Sequence, residues 1–540
     1  MTLRPVLAAA LCTLAANVSL AADLPPADKP AEQVIDQLID AQIAAANATP
    51  AAQVDDAAFI RRATLDLVGR IPTLAEVNAY VNSSDPDKRA KLIDRLLASP
   101  GFPRHQAAMF DAMLNPDGDR RGGTGLRDYL TAALRENRSW EQMFREILLP
   151  DEADPKTKGA ADFLKARLAD ADRLTVDVSV SFFGVNVSCA QCHDHPLVKD
   201  WTQDHFYGMK SFLARTYDAS GFLAERPAGL VKFKPNKGPE KTAKLMFLTG
   251  TEVPTDTLRE PTKEEQQAEK QAMEKVRTIK AAPPKPAFSA RAQLVEVALQ
   301  KGNSDFFSRA IVNRLWHRFL GRGLVNPLDQ MHSENPPSHP ELIAWLARDT
   351  AEHGYDLKRL IRGLVMSKAY SRSSRYETES VPPVTLFAVA RLKPLTPMQL
   401  SLSLRIAATD PAQFEGKPDD VEKKIEQMEG GARGFASLIA QPNDNFQIGV
   451  GEALLFSNGD RVMKEFLTDG GGTLLGRVNA EKDTAAAIDL MVRVVYGRPP
   501  SAAESKAFAA YVEKRSDRKP EAYRQLLWVL VTGPEFRFNY

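Results

Sequence analysis

Apolar residues recur at helical spacing over most of the chain. Val34, Leu38, Ile39 and Ile43 fall on one face, and Leu92, Leu96 and Leu97 share another with Ile93 beside them. Helix starts are equally legible. Thr73-Leu74-Ala75-Glu76 and Ser501-Ala502-Ala503-Glu504 fit a capping box, in which hydroxyl and carboxylate each accept a backbone N–H of the first turn. Ser338-His339-Pro340-Glu341 predicts a third box, with Pro inside the turn where its missing N–H costs nothing. The pattern predicts a mainly α protein of helical hairpins and bundles in two halves.

Two of the boxes belong to a faint repeat. Gly69-Arg70-Ile71-Pro72-Thr73 leads through Ala79-Tyr80-Val81 to Ser99-Pro100-Gly101-Phe102, and Gly497-Arg498-Pro499-Pro500-Ser501 leads through Ala510-Tyr511-Val512 to Gly533-Pro534-Glu535-Phe536. A related ending recurs at Leu360 to Tyr370. Each copy reads as a helical hairpin entered through a Gly-Arg-x-Pro turn. Two copies at opposite ends of the chain do not make a stacked array; they bracket it.

The pattern changes between about Asp218 and Pro286. Leu230 to Lys234 and Lys244 to Leu248 are short runs near Gly and Pro and predict strands. Glu260 to Lys280 predicts a charged helix, and Ala281-Ala282-Pro283-Pro284-Lys285-Pro286 a stiff linker. The expected layout is a leader at 1–22, a helical unit at 30–217, a small β insert with helix and linker at 218–287, and a second helical unit at 288–540.

The leader is read from its own pattern. Arg4 precedes an apolar run from Val6 to Ala16, and Ser19-Leu20-Ala21 offers small residues for cleavage after Ala21 or Ala22. A run of about 11 residues is too short for a hydrocarbon core that needs roughly 20. Cys12 follows the bulky Leu11, which argues against lipid attachment. An exported protein, periplasmic or at the cell surface, is therefore expected, with no transmembrane segment in the mature chain.

Composition narrows the function little. Apolar residues make up 44% and charged residues 26%, as in an ordinary folded protein, and 70 basic residues nearly match 69 acidic ones. No overall field favours nucleic acid. No P-loop, dinucleotide fingerprint or nucleophile elbow is present, so no hydrolase, kinase or dehydrogenase chemistry is indicated.

The candidate chemistry sits on Cys189-Ala190-Gln191-Cys192-His193, the attachment signature of c-type haem. Two thiols three residues apart can reach the two vinyl groups on one porphyrin edge, and the next imidazole, His193, can ligate the iron. Removing the leader removes Cys12, so these are the only cysteines of the mature chain. Two alternatives stay open. Cys189 and Cys192 with two of His193, His195 and His205 could hold zinc tetrahedrally, or the two cysteines could form a disulfide.

His195, His205 and Met209 are further candidates as metal ligands or as groups supporting them; Met109, Met113 and His105 lie upstream. Trp201, Phe206 and Tyr207 could wall a porphyrin. His317 and His339 read as structural, and Gly321-Arg322-Gly323 as a helix stop.

Phe59-Ile60-Arg61-Arg62, Leu65 to Thr73 and Cys189 to Trp201 resemble the first domain of a secreted family abundant in planctomycetes, cytochrome-like but of unknown function. Ala310 to Trp316, Gly321 to Val325, Asn335 to Leu342 and Tyr355 to Lys358 resemble its usual companion domain, also of unknown function. The resemblance implies export and a haem-type site at Cys189, Cys192 and His193, with His195 and Pro196 in the same signature. This chain departs from it at His205, where the family usually has Asp. Its insert is also short, so the glycan-binding modules of some relatives have no counterpart.

The combined expectation is an exported monohaem c-type electron carrier with a redox partner protein. A non-redox envelope scaffold holding zinc or a disulfide, and a haem peroxidase-like enzyme, are the alternatives.

Overall fold

In a computed structural model the described residues are 24–540 apart from 27, 117–123, 196–197, 237, 281, 379, 443–449 and 458–459. The leader expected at 1–22, and Pro196 of the motif signature, lie outside them.

Helix Ala31–Ala45 buries Val34, Ile35, Ile39 and Ile43, and helix Lys88–Ala98 buries Leu92, Ile93, Leu96 and Leu97. Both stripes pack on helix Leu357–Met366, far along the chain. One apolar core therefore joins residues from Ala31 to Ala388, before and after the insert. A second core is built from Leu395 to Phe536 and takes in Leu65 and Ile71. The architecture is mainly α-helical, in two regions with a small β-containing insert, as the periodicity predicts. No helix among the described residues is long and apolar enough to cross a membrane.

The first core centres on aromatic rings. Trp140 stacks on Phe307 at 6.2 Å and lies 5.7 Å from Phe182, while Phe144 lies 4.8 Å from Phe307 and 4.9 Å from Phe182. Phe307 belongs to helix Ser304–Leu320, which also packs along helix Ala171–Phe183 just ahead of the cysteine motif. The second half is thus wedged under the motif.

The insert is thinner in β-structure than its sequence suggests. Lys232–Phe233 pairs with Lys241–Thr242, and Leu245–Met246 with Glu252–Val253, as two-residue ribbons. An unforeseen hairpin, Thr216–Ala219 with Phe222–Glu225, precedes them. The charged helix runs Lys263–Ile279, starting where Thr262 and Glu265 form a capping box.

Two of the three capping boxes form as expected, on Thr73 and on Ser501. The box at Ser338 does not. His339 is the cap residue and Pro340 the first helical one, so Glu341 falls one position short of the carboxylate's place. Ser338 instead gives its N–H to the Leu324 carbonyl at 2.8 Å.

The repeat is a real structural equivalence. Gly69 and Gly497 both end a helix in the left-handed region, at φ 76° and 74°. Arg70 then grips Glu76 at 2.7 and 3.0 Å, and Arg498 grips Glu504 at 2.8 and 2.9 Å. At Gly69 a side chain is also sterically barred, since an added Cβ would lie 2.3 Å from the His105 ring. The exits match as well. Ser99, Ser367 and Gly533 are each extended (ψ 149°, 153° and 155°) between one helix and the next. Arg61, on the helix that leads into the first turn, ties the two copies together: its guanidinium donates to the carbonyls of Val495, Glu535 and Phe536.

These turns make stability sensitive to acid. Burial alone would raise Glu76, but the charge and hydrogen bonds of Arg70, the Thr73 N–H and Arg95 hold its carboxyl at about 2. Hydrogen bonds from Arg498 hold Glu504 at about 2 against partial burial. Both folded values lie below the ordinary 4.5, so the stabilisation is complete above that value and fades as pH falls toward 2. For Glu76 it is on the order of 3 kcal/mol, and less for the more exposed Glu504. Urea midpoints measured across this range should fall steeply in the wild type and more gently in Glu76→Gln.

Candidate functional site at the cysteine motif

Helix Ala171–Phe183 starts on Asp170, whose carboxylate accepts the N–H groups of Asp172 and Arg173 at 2.9 and 3.1 Å. It stops at Gly184, at φ 67°, where an added Cβ would sit 3.0 Å from the Met331 sulfur. A side chain there would be strained by the left-handed backbone and would press on Met331, which favours glycine. The chain then runs into a 3₁₀ turn, Ser188–Gln191. Val185, Val187 and Ala190 are buried as anchors, which leaves Cys189, Cys192 and His193 exposed. Cys189 lies in this turn and Cys192 is the residue that caps it, still in the right-handed helical region (φ −96°, ψ −29°). The three-residue spacing that stacks side chains in a 3₁₀ turn therefore brings the two thiols to the same side.

The turn is braced from behind. The Gln191 carbonyl accepts from Gln203 Nε2 at 3.2 Å and from the Tyr207 hydroxyl at 3.1 Å, while its side chain donates to Asp172 at 2.9 Å. Tyr207 in turn stacks on Phe233 of the insert at 4.2 Å. Asp194 accepts the Gln203 N–H at 2.9 Å, tying the residue after the motif to the start of helix Gln203–Leu213.

Cys189 and Cys192 are both free thiols. His193 places Nδ1 2.8 Å from the Asp194 carbonyl. A carbonyl can only accept, so Nδ1 carries the proton and Nε2 keeps its lone pair for a metal. That second hydrogen bond is what ligating histidines ordinarily have.

The other candidates are placed differently. The His205 Nδ1 accepts the Thr202 N–H at 3.3 Å and lies 2.9 Å from its hydroxyl, closing the first turn of its own helix. Burial lowers its pKa against the pull of Asp204, Asp200 and Asp194, which suits this neutral acceptor role. The His195 Nδ1 accepts from the Val198 backbone N–H at 3.1 Å, and the backbone N–H of His195 donates to the Trp201 carbonyl at 2.8 Å. Its pKa is lowered by burial and by the neighbouring His332 and His193. Met209 is fully buried in the first core. Phe206 is buried beside it, and Trp201 packs on Phe306 of the second half at 6.0 Å. His105 is committed to the Gly69 turn. Among the described residues no group of three His, Cys, Asp or Glu side chains converges as a metal cage. The departure at His205 is thus a helix cap: His205→Ala should cost about 0.5–2 kcal/mol in urea unfolding and His205→Asp much less.

A segment of the second half completes the site. Residues 328–333 lie along the strand-like stretch before the motif, with Val185 bridged to Gln330, the Asn186 N–H on the Asp329 carbonyl at 2.8 Å and the Met331 N–H on the Gly184 carbonyl at 3.1 Å. Ser333 donates from backbone and hydroxyl to Asp200 at 2.7 and 2.8 Å. His332 is thereby set 6.5 Å from the His195 ring. Nothing in the local sequence marks His332, because its relation to the motif exists only once the two halves dock.

Fold and site together define a mainly helical protein that presents a Cys-x-x-Cys-His turn at its surface. Residues 34–218 match the family PSCyt2, described as a protein of unknown function (DUF1549), and residues 290–431 match PSD1, described likewise (DUF1553). The chain belongs to this two-domain family. No curated protein and no solved structure matches it.

Proposed function

We propose that this is an exported monohaem c-type protein that passes single electrons in the periplasm or at the cell surface. The observation that carries the reading is the state of the motif. Two free, exposed thiols share one face of a braced turn, and His193 has its Nδ1 proton tied to a carbonyl. That donor set fits haem c, whose iron supplies a one-electron couple when bound. Cys189 and Cys192 would hold the two thioether links and His193 the proximal bond. The brace on Gln191 keeps the three side chains in order, and covalent attachment suits a protein whose cofactor would otherwise be lost outside the cell. The membership in PSCyt2 and PSD1, and the leader pattern at 1–22, support the same reading.

The reading is tested by haem staining of denatured protein matured in a host with cytochrome c assembly, with a pyridine haemochrome spectrum. One haem per chain is expected in the wild type, and loss of covalent stain in Cys189→Ala/Cys192→Ala. Unstained wild-type protein refutes it.

A further inference from the structure

Around the motif, most nitrogen and sulfur donors have other work. His205 caps a helix, His195 holds a loop, Met209 is sealed in a core and His105 fills the Gly69 turn. His332 differs. The backbone on both sides of it is hydrogen-bonded to the motif half, through Asp329, Met331 and Ser333. The ring that these bonds position has a buried Nδ1 with no hydrogen-bond partner. Leaving a buried polar atom unpaired costs about 1–3 kcal/mol, so a nitrogen in that state at the edge of the site gains by taking up a ligand from outside the chain. A neutral imidazole nitrogen is the commonest protein ligand for a metal.

We propose that His332, delivered by the PSD1 half, is the axial ligand opposite His193, so that the haem is held between the two family domains. The proposal rests on the haem reading above. It explains why residues 328–333 are pinned to both Gly184 and Asp200, on either side of the motif. It gives the second half a role in the chemistry, since the first alone would carry a haem with one protein ligand. Two histidines also set a lower potential than a histidine with methionine.

The test uses the full chain matured with covalent haem. The ferric wild type should be low-spin by absorption and by electron paramagnetic resonance, and the ferrous form should not bind carbon monoxide. His332→Ala should lose the low-spin signal, gain carbon monoxide binding and recover the wild-type spectrum on addition of imidazole, with haemochrome content unchanged. His332→Met, which keeps a ligand in place and guards against misfolding, should stay low-spin with a more positive midpoint potential. A His332→Ala spectrum superimposable on wild type at equal haem content overturns the proposal and leaves the haem reading standing. So does a high-spin wild type. Wild-type protein without covalent haem overturns both.

Discussion

Asp66→Ala is expected to lower the stability of the folded chain by about 3–5 kcal/mol, the usual loss when one partner of a buried ion pair is removed. Asp66 lies on helix Asp56–Val68 and is 8% exposed. Its carboxylate takes both bonds from Lys393 at 2.8 Å, one from the Tyr370 hydroxyl at 2.8 Å and one from Asn539 at 2.8 Å. Burial lowers the pKa of Lys393, opposed by Asp66, and burial with the Asp66 charge raises Tyr370. Without the carboxylate, the Lys393 charge would keep only the carbonyls of Arg318 and Phe319, at 3.3 and 3.0 Å. Arg318, whose charge Asp66 also offsets, would lose that compensation. The measurement is urea unfolding at neutral pH beside Lys464→Ala, which breaks an exposed pair with Asp460 and should change little. A loss below about 1 kcal/mol for Asp66→Ala would mean that this cluster does not hold the chain's two ends to its middle.

Phe307→Ala should be comparably costly, about 3–5 kcal/mol, because it empties the centre of the shared core. Its ring touches Trp140, Phe144 and Tyr355 with centroids 6.2, 4.8 and 5.1 Å away. Trp140 and Phe144 come from before the insert and Phe307 from after it, so the two sides should unfold together. Near-UV circular dichroism during heating should show one transition, displaced to lower temperature. A split transition, with the part before the insert melting as in the wild type, would show that the halves fold independently.

Much of this architecture was legible in the chain. Helical stripes such as Val34 to Ile43 show in the spacing within one helix, although what they pack on lies far along the chain. The boxes at Thr73 and Ser501 and the Gly-Arg-x-Pro turns find their capping and Arg–Glu partners within a few residues. The cysteine motif is local too, and its brace by Gln203 and Tyr207 comes from the next helix. What escaped the sequence is what depends on docking. Asp66 meets Lys393, Tyr370 and Asn539 only through tertiary packing, and His332 reaches the motif only because residues 328–333 pair with Val185. The Ser338 box failed by one position, since Pro340 fixed the helix start after His339 rather than after Ser338. His205 read as a candidate ligand by type, yet its nitrogen answers the unpaired N–H of Thr202.

Peptide mass spectrometry of the protein matured with a working cytochrome c assembly system asks the central question most directly. The peptide spanning Cys189 to His193 is expected to carry the mass of one haem joined through both sulfurs. The same peptide recovered with two unmodified thiols, or with a Cys189–Cys192 disulfide, would contradict the haem reading.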